Sequence, residues 1–435
     1  MAAREYPLYH PKAGWAEQHP EDWWASLGQA SQAALAAAGI RPEQVAGLCL
    51  DATCCSVVVC EANGRPLRPA IIWMDVRSAS QAERIGRVDS PALAYTGYGP
   101  VSAEWMPCKA LWVKENEPEV WARSEVVCEY LDWVTHRMTG RWTASLMETS
   151  GRWFYNNRKG GWPRDLYGAI GLLDALEKFP ADILPAGALV GELTAAAAAD
   201  LGLVAGIPVF EGGPDAYTAV LGLQVTRPGR LASIMGSSHC LEAFTETEVH
   251  GLGMNGGFPD AIVPGYWLVE GGQTSTGSVV KWFREQFCLA DKLEAQTRSM
   301  EAYDLLSEAA SSLPPGSDGL LVLEHWQGMR TPSADPLARG AVMGLSLRHT
   351  RAHVYRAIIE ATAYGTEYIL RTFQANKIQL DDIVACGGPT KSPFWMQIQA
   401  DVCGRPIMVP EVPEAPALGA AILAAVGAKV YPDFD

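Results

Sequence analysis

The run Ile207-Pro-Val-Phe-Glu211-Gly-Gly-Pro-Asp215, and after it Arg230-Leu-Ala-Ser-Ile-Met235-Gly-Ser-Ser-His239-Cys-Leu-Glu-Ala-Phe244, fixes how this chain is organised. Ile207 to Glu211 is a short buried strand that delivers Gly212-Gly213-Pro214-Asp215 at its end, the edge where open α/β sheets keep their sites. Arg230 to Met235 and Leu241 to Phe244 are strand-like runs about a tight polar turn, the first hairpin of a new sheet. A sheet that ends and another that begins imply two lobes, 1–224 and 225–435, with a cleft between them.

The flanks agree. Towards the N-terminus, Pro20-Glu-Asp-Trp-Trp24 opens a helix with proline and acids in its first turn, and Gly39 stops it. Val45 to Leu50 reads as a strand with Ser56 to Cys60 as its hairpin partner, and helices are expected over 107–112, 131–138 and 196–203. Towards the C-terminus, helical stretches at 354–373, 394–402 and 415–425 surround a strand, Ile383 to Cys386, that runs into Gly387-Gly388.

A chain of 435 residues, 48% hydrophobic and 19% charged, has material for two cores. The net charge of −15 disfavours nucleic acid and anionic lipid, leaving a small molecule as the expected partner. No apolar run is long enough to cross a bilayer, and Arg4, Glu5 and His10 follow Met1 where a signal peptide would be apolar, so a cytoplasmic location is expected. Ten scattered cysteines without a C-x-x-C pair read as reduced thiols.

Three turns could carry chemistry. Gly236-Ser237-Ser238 could cradle a phosphate with backbone N–H groups and hydroxyls, or be an ordinary Gly-Ser hairpin. Asp215 could take the proton of a hydroxyl attacking phosphorus, or cap the helix starting at Ala216. Gly387-Gly388-Pro-Thr-Lys391 could let a nucleotide ring approach the main chain, or be a tight strand-to-helix link; it lacks Walker spacing. Gly251-Leu-Gly253-Met-Asn-Gly256 reads as a loop, His349 and His353 as surface or packing residues, and Cys54-Cys55 as buried thiols in a β-like stretch.

In order along the chain, these pieces resemble the FGGY carbohydrate kinases over nearly its whole length. The resemblance rests also on Gly14 to Trp24, Trp73-Met-Asp75-Val-Arg77, Met106-Pro-Cys-Lys109-Ala-Leu-Trp112, Arg330-Thr-Pro-Ser-Ala-Asp335 and Gly404-Arg405-Pro406. It implies an α/β fold of two ribonuclease-H-like lobes, of the actin and hexokinase type, closing over a sugar and MgATP. It implies that Asp215 is the base and lies near Mg²⁺ through water. Gly236, Ser237, Ser238 and Gly277 would meet the phosphates, and Gly387, Gly388 and Lys391 the rest of ATP.

Asp51-Ala-Thr-Cys54-Cys55, the Gly236 turn and Glu270-Gly-Gly-Gln273 resemble the ribulokinase-like branch. That implies a pentulose phosphorylated at its terminal hydroxyl, giving the 5-phosphate, and contacted by Cys54, Trp105, Arg152, Asp215 and Glu270. Arg152 stands where the branch has lysine, which changes reach and hydrogen-bond geometry. Trp105 could instead be core and Glu270 a helix cap. Another polyol or ketose as acceptor, a homodimer, and a non-catalytic sugar- or nucleotide-binding protein all stay open. The family's opening D-x-G-T hairpin is not found ahead of Glu5 to Tyr9, nor the further helix past Asp435, so little turnover is expected of this chain as written.

Overall fold

The computed structural model describes residues 1–434. In the first half, β1 (Glu17–Gln18), α1 (Pro20–Ala38), β2 (Leu48–Ala52), β3 (Val57–Cys60) and β4 (Ala70–Ile71) are followed by α2 (Met106–Asn116) and β5 (Val126–Glu129). Then come α3 (Tyr130–Thr139), α4 (Leu146–Arg152), β6 (Leu189–Glu192), β7 (Pro208–Pro214) and α5 (Asp215–Gly222). Gly39 and Gly140, both left-handed, end α1 and α3 as the sequence predicts.

The two larger sheets of this half are ordered β1-β4-β3-β5 and β2-β7-β6. The predicted hairpin of 45–50 with 56–60 does not form. Cys55 has φ 61°, and the loop through it turns the chain away, so β2 runs parallel to β7 while β3 pairs antiparallel with β4 and β5. Residues 5–9 form no strand, and Tyr9 meets Glu17 through an isolated bridge.

The second half contains β8 (Gly229–Met235), β9 (His239–Thr245), β10 (Asn255–Pro259), β11 (Trp267–Gln273), α6 (Gly277–Phe287) and α7 (Arg351–Ala375). It ends with β12 (Leu380–Gly387), α8 (Pro393–Cys403), β13 (Ile407–Met408) and α9 (Ala415–Gly427). Its sheet is ordered β10-β11-β9-β8-β12-β13, with β8 and β9 the predicted hairpin and β12 parallel to β8. Long α7 buries Ile358, Ile359, Ile369, Leu370 and Phe373 against this sheet's helical cover and strands.

The last helix is not where the sequence puts it. Rather than flanking residues 383–386, α9 returns to the first half and packs on α5, β2 and β7. The close contact is made by glycines: a Cβ on Gly419 would lie 1.8 Å from the Thr218 carbonyl oxygen, and one on Gly222 2.0 Å from that of Ala415. One apolar cluster spans both halves, joining Tyr217, Val220 and Leu221 to Phe244, Leu268, Val384, Cys386, Ala415 and Leu423. All ten cysteines are free, and among the described residues no helix is long and apolar enough to cross a membrane.

Candidate active site

Asp215 stands where a strand becomes a helix. In β7, Gly212 and Gly213 allow close packing: a Cβ on the first would meet the Leu50 carbonyl oxygen at 1.7 Å, and on the second the Met147 sulfur at 2.0 Å. Pro214 lies opposite Ala52 of parallel β2, so the two strands end side by side, with Asp51 one residue back. Asp215 Oδ1 accepts the N–H of Ala216 at 2.7 Å, but Asp215 is the first residue of the helix and Pro214 holds the N-cap position, so it is not a helix cap. Burial, with the charge of Asp51 adding to it, pushes its carboxyl up to about 6 against that hydrogen bond. A carboxylate with that value is largely ionised at neutral pH yet basic enough to accept a proton.

Two residues on, Tyr217 reaches the second cluster. Arg152, the last residue of α4, donates from Nη2 to Glu270 Oε2 at 2.6 Å and from Nη1 to the Tyr217 hydroxyl at 3.1 Å. Its guanidinium lies 5.7 Å from the ring centres of Trp105 and Tyr217, within cation–π range. Trp105, just before α2, is buried and tilts against Phe154 at 4.9 Å. Glu270 sits mid-strand in β11 and caps no helix. Its Oε1 accepts from Asn255 Nδ2 at 3.4 Å. Burial pushes Glu270 up, but Arg152, Arg330 and these hydrogen bonds outweigh it and hold the carboxyl below its usual range. Arg152 belongs to the first half and Glu270 to the second, so the ion pair spans the cleft.

Trp105, Arg152 and Glu270 line one cavity of about 730 Å³ together with Glu104, Asn255 and Arg330. Cys54 and Asp215 are not among its lining residues. Cys54 is half-buried, its thiol held well above the usual range by Cys55 and by burial. Spacing along the sequence gave no sign of Tyr217, Asn255 or Glu104. Arg330, which opens the Arg330–Asp335 stretch, approaches Glu104 at 3.8 Å across the cleft.

The glycine turns form a third group. Met235 pairs with Gly387, so the turns after β8 and β12 leave the sheet at neighbouring strand ends. Gly387 has φ 100°, and a Cβ there would lie 2.0 Å from the Met235 carbonyl oxygen. Gly236 donates to the Ser238 carbonyl at 2.8 Å, while the carbonyls of Gly236 and Ser237 accept from the N–H groups of Gly277 (3.2 Å) and Thr276 (2.9 Å). The 236–238 turn is thereby tied to the start of α6. Gly388 faces open space, and Lys391, closing the turn after it, is exposed.

Among the described residues no group of three or more His, Cys, Asp or Glu side chains could hold a metal ion. Two carboxylates at adjacent strand ends, Asp51 and Asp215, are the donors present. They suit a Mg²⁺ carried mainly by phosphate oxygens and water, which needs only one or two protein carboxylates.

Comparison with known proteins bears on these clusters. Residues 1–222 match the N-terminal domain, and residues 231–428 the C-terminal domain, of the FGGY family of carbohydrate kinases. The chain is 33% identical to a ribulokinase of Geobacillus thermodenitrificans over 433 residues, 95% of this chain and 77% of that protein. It is 32% identical to the human FGGY carbohydrate kinase domain-containing protein, covering 98% and 84%. The solved xylulose kinase of Rhodospirillum rubrum superposes with a TM-score of 0.82 at 29% identity, covering 98% of this chain and 84% of that one. With both domain models matched in order and the two-lobed α/β architecture shared, this chain belongs to the FGGY family of carbohydrate kinases and is a sugar kinase.

Proposed function

We propose that this kinase transfers the γ-phosphoryl group of ATP to the terminal hydroxyl of a ribulose-type pentulose, giving the 5-phosphate and ADP. The observation that carries the proposal is the convergence of Trp105, Arg152 and Glu270 on one cavity, with Tyr217 linking Arg152 to the helix that Asp215 begins. The sugar lies on the 1–224 lobe and the nucleotide on the 225–435 lobe. Glu270 accepts from sugar hydroxyls, Arg152 donates to sugar oxygens, and the Trp105 ring covers an apolar carbon face. Asp215 takes the proton of the terminal hydroxyl as its oxygen bonds to the γ-phosphorus and the bond to the bridging oxygen of ADP breaks. The turns at 236–238 and 387–388, with Gly277 and Lys391, hold the nucleotide. When bound with ATP, Mg²⁺ neutralises phosphate charge, and Asp215 would face it through water.

Support for the ribulose type comes from the ribulokinase relatives, and for xylulose as a second reading from the solved xylulose kinases. The test is an ADP-release assay and calorimetry on ribulose, xylulose, fuculose, erythritol and glycerol, with Asp215→Asn alongside. A ribulose-type sugar should bind most tightly, and Asp215→Asn should bind it without turnover. Binding of no sugar, or turnover surviving in Asp215→Asn, would refute the assignment.

A further inference from the structure

The loop of residues 327–337 belongs to the second half and walls the same cavity as Trp105, Arg152 and Glu270. Within it, Arg330 lies against β11. Thr331 fixes the position, its N–H donating to the Gly272 carbonyl at 3.2 Å and its Oγ1 accepting the Gly272 N–H at 3.1 Å. A Cβ on Gly272 would come within 3.3 Å of Arg330 Nη1, so glycine leaves the room that the guanidinium takes. Gly272 projects from the same face as Glu270, about 7 Å further along the strand, and pairs with Cys240. Arg330 Nη1 meets the Cys240 sulfur at 3.9 Å. Cys240 is two residues past Ser238, so the guanidinium stands between Glu270 and the 236–238 turn.

That guanidinium is uncommitted. Among the described residues the contact with Cys240 is the one hydrogen bond its side chain makes, and its ion-pair partner, Glu104 of the first half, stays at 3.8 Å, beyond hydrogen-bond reach. Both side chains keep surface open to the cavity they line, 27% for Arg330 and 32% for Glu104. Arg152, by contrast, is taken up by Glu270 and Tyr217. Most of the five N–H groups of Arg330 therefore have no protein acceptor among the described residues. A neutral sugar does not call for a second positive charge. The anion that this reaction brings to the acceptor is the phosphoryl group in transit, and a guanidinium binds two phosphoryl oxygens at once.

We infer that Arg330 is a further catalytic residue, which donates two N–H groups to oxygens of the phosphoryl group as it passes from ATP to the acceptor and once it sits on the product. The inference rests on the reading above, with the sugar at Glu270 and phosphates at the 236–238 turn. As the sugar oxygen bonds to the γ-phosphorus and the bridging oxygen leaves with ADP, charge stays on the three outer oxygens, where a fixed guanidinium stabilises it. No proton or electron passes through Arg330. Until the phosphoryl group arrives, Glu104 balances the guanidinium without a hydrogen bond; it then gives way, because a carboxylate beside a phosphate is repelled.

The test is calorimetry of the full chain with ribulose and with ribulose 5-phosphate, on wild type, Arg330→Met, Arg330→Lys and Glu104→Gln. Wild type should bind both. Arg330→Met should bind ribulose within threefold of wild type and ribulose 5-phosphate at least tenfold more weakly. Arg330→Lys, which keeps the charge and loses the fork, should recover part of that loss. Glu104→Gln should bind the 5-phosphate severalfold more tightly, and it decides the matter alone if Arg330→Met does not fold. Loss of both ligands in Arg330→Met, which would make Arg330 a sugar contact, or of neither, which would leave it a bridge between the lobes, overturns the inference. So does a Glu104→Gln protein that binds the 5-phosphate no better than wild type, or a wild-type chain that binds ribulose but not its 5-phosphate. A wild-type chain that binds neither overturns the function on which the inference rests as well.

Discussion

Replacing Asp215 by asparagine should stabilise the protein, and by an amount that grows with pH. The buried carboxyl titrates near 6, against 3.8 for an ordinary aspartate. A gap of about 2 in pKa corresponds to about 3 kcal/mol. The sign follows from the direction of the gap. Below about pH 4 the group is protonated both folded and unfolded, and the carboxyl costs the folded state nothing. As pH rises from about 4 to about 6 the unfolded chain ionises while the folded one keeps its proton, so stability drains away, and above about 6, where both are ionised, the loss is complete. Asparagine never ionises, and its Oδ1 can still accept the Ala216 N–H. The variant should therefore match wild type near pH 4 and exceed it by about 3 kcal/mol at pH 8, or roughly 6–12 °C in Tm for a lobe of this size. Scanning calorimetry of both proteins from pH 4.5 to 8.5 measures the difference. In an Asp51→Asn background the gain should shrink, since the charge of Asp51 adds to the upward shift. A difference that does not vary with pH, or an Asp215→Asn protein less stable at pH 8, would refute the reasoning.

Three further outcomes are expected. Arg152→Ala leaves Glu270 as an unpaired buried charge and should cost about 3–5 kcal/mol in urea unfolding, whereas Arg152→Met with Glu270→Met should cost far less; both should abolish sugar binding. Gly387→Ala places a Cβ 2.0 Å from the Met235 carbonyl oxygen at φ 100°, so it should part β8 from β12, destabilise by about 2–4 kcal/mol and weaken ATP binding in calorimetry more than sugar binding. Lys109 is fully buried, with Nζ donating to the carbonyls of Cys55 and of Ile72 (2.8 Å); Lys109→Met should cost about 2–4 kcal/mol in urea unfolding while the folded protein keeps its sugar affinity.

Local signals in the sequence located most elements because local physics makes them. Proline and acids open α1, left-handed glycines close α1 and α3, and a polar turn between two apolar runs makes the β8–β9 hairpin. What failed depended on long-range pairing. Nothing in residues 45–60 says that β2 will take β7, some 160 residues away, as its neighbour rather than β3. Nothing in the alanine-rich run 415–427 says which half it will cover, because α9 is apolar nearly all round. The site divides the same way. Asp215 and the glycine turns could be picked out because strand-end position is itself a local signal. The Arg152–Glu270 pair joins residues 118 apart, and Arg330 meets Glu104 only across the cleft, a placement that no motif encodes. Lys109 belongs to a stretch that resembles the family's, yet its charge is spent on two main-chain carbonyls.

The contact between α5 and α9 has a mechanical consequence. At Gly222 and Gly419 the two helices touch backbone to backbone, with no side chains interlocked at the point of closest approach. Contact this close leaves the two helices no room to shift towards each other, and the side chains around it are packed in the shared apolar cluster. Since α9 is tethered by sequence to the second half but seated on the first, a turn of one half on the other would have to pass through this contact and the apolar cluster around it. A single methyl at either glycine would force the two helices apart.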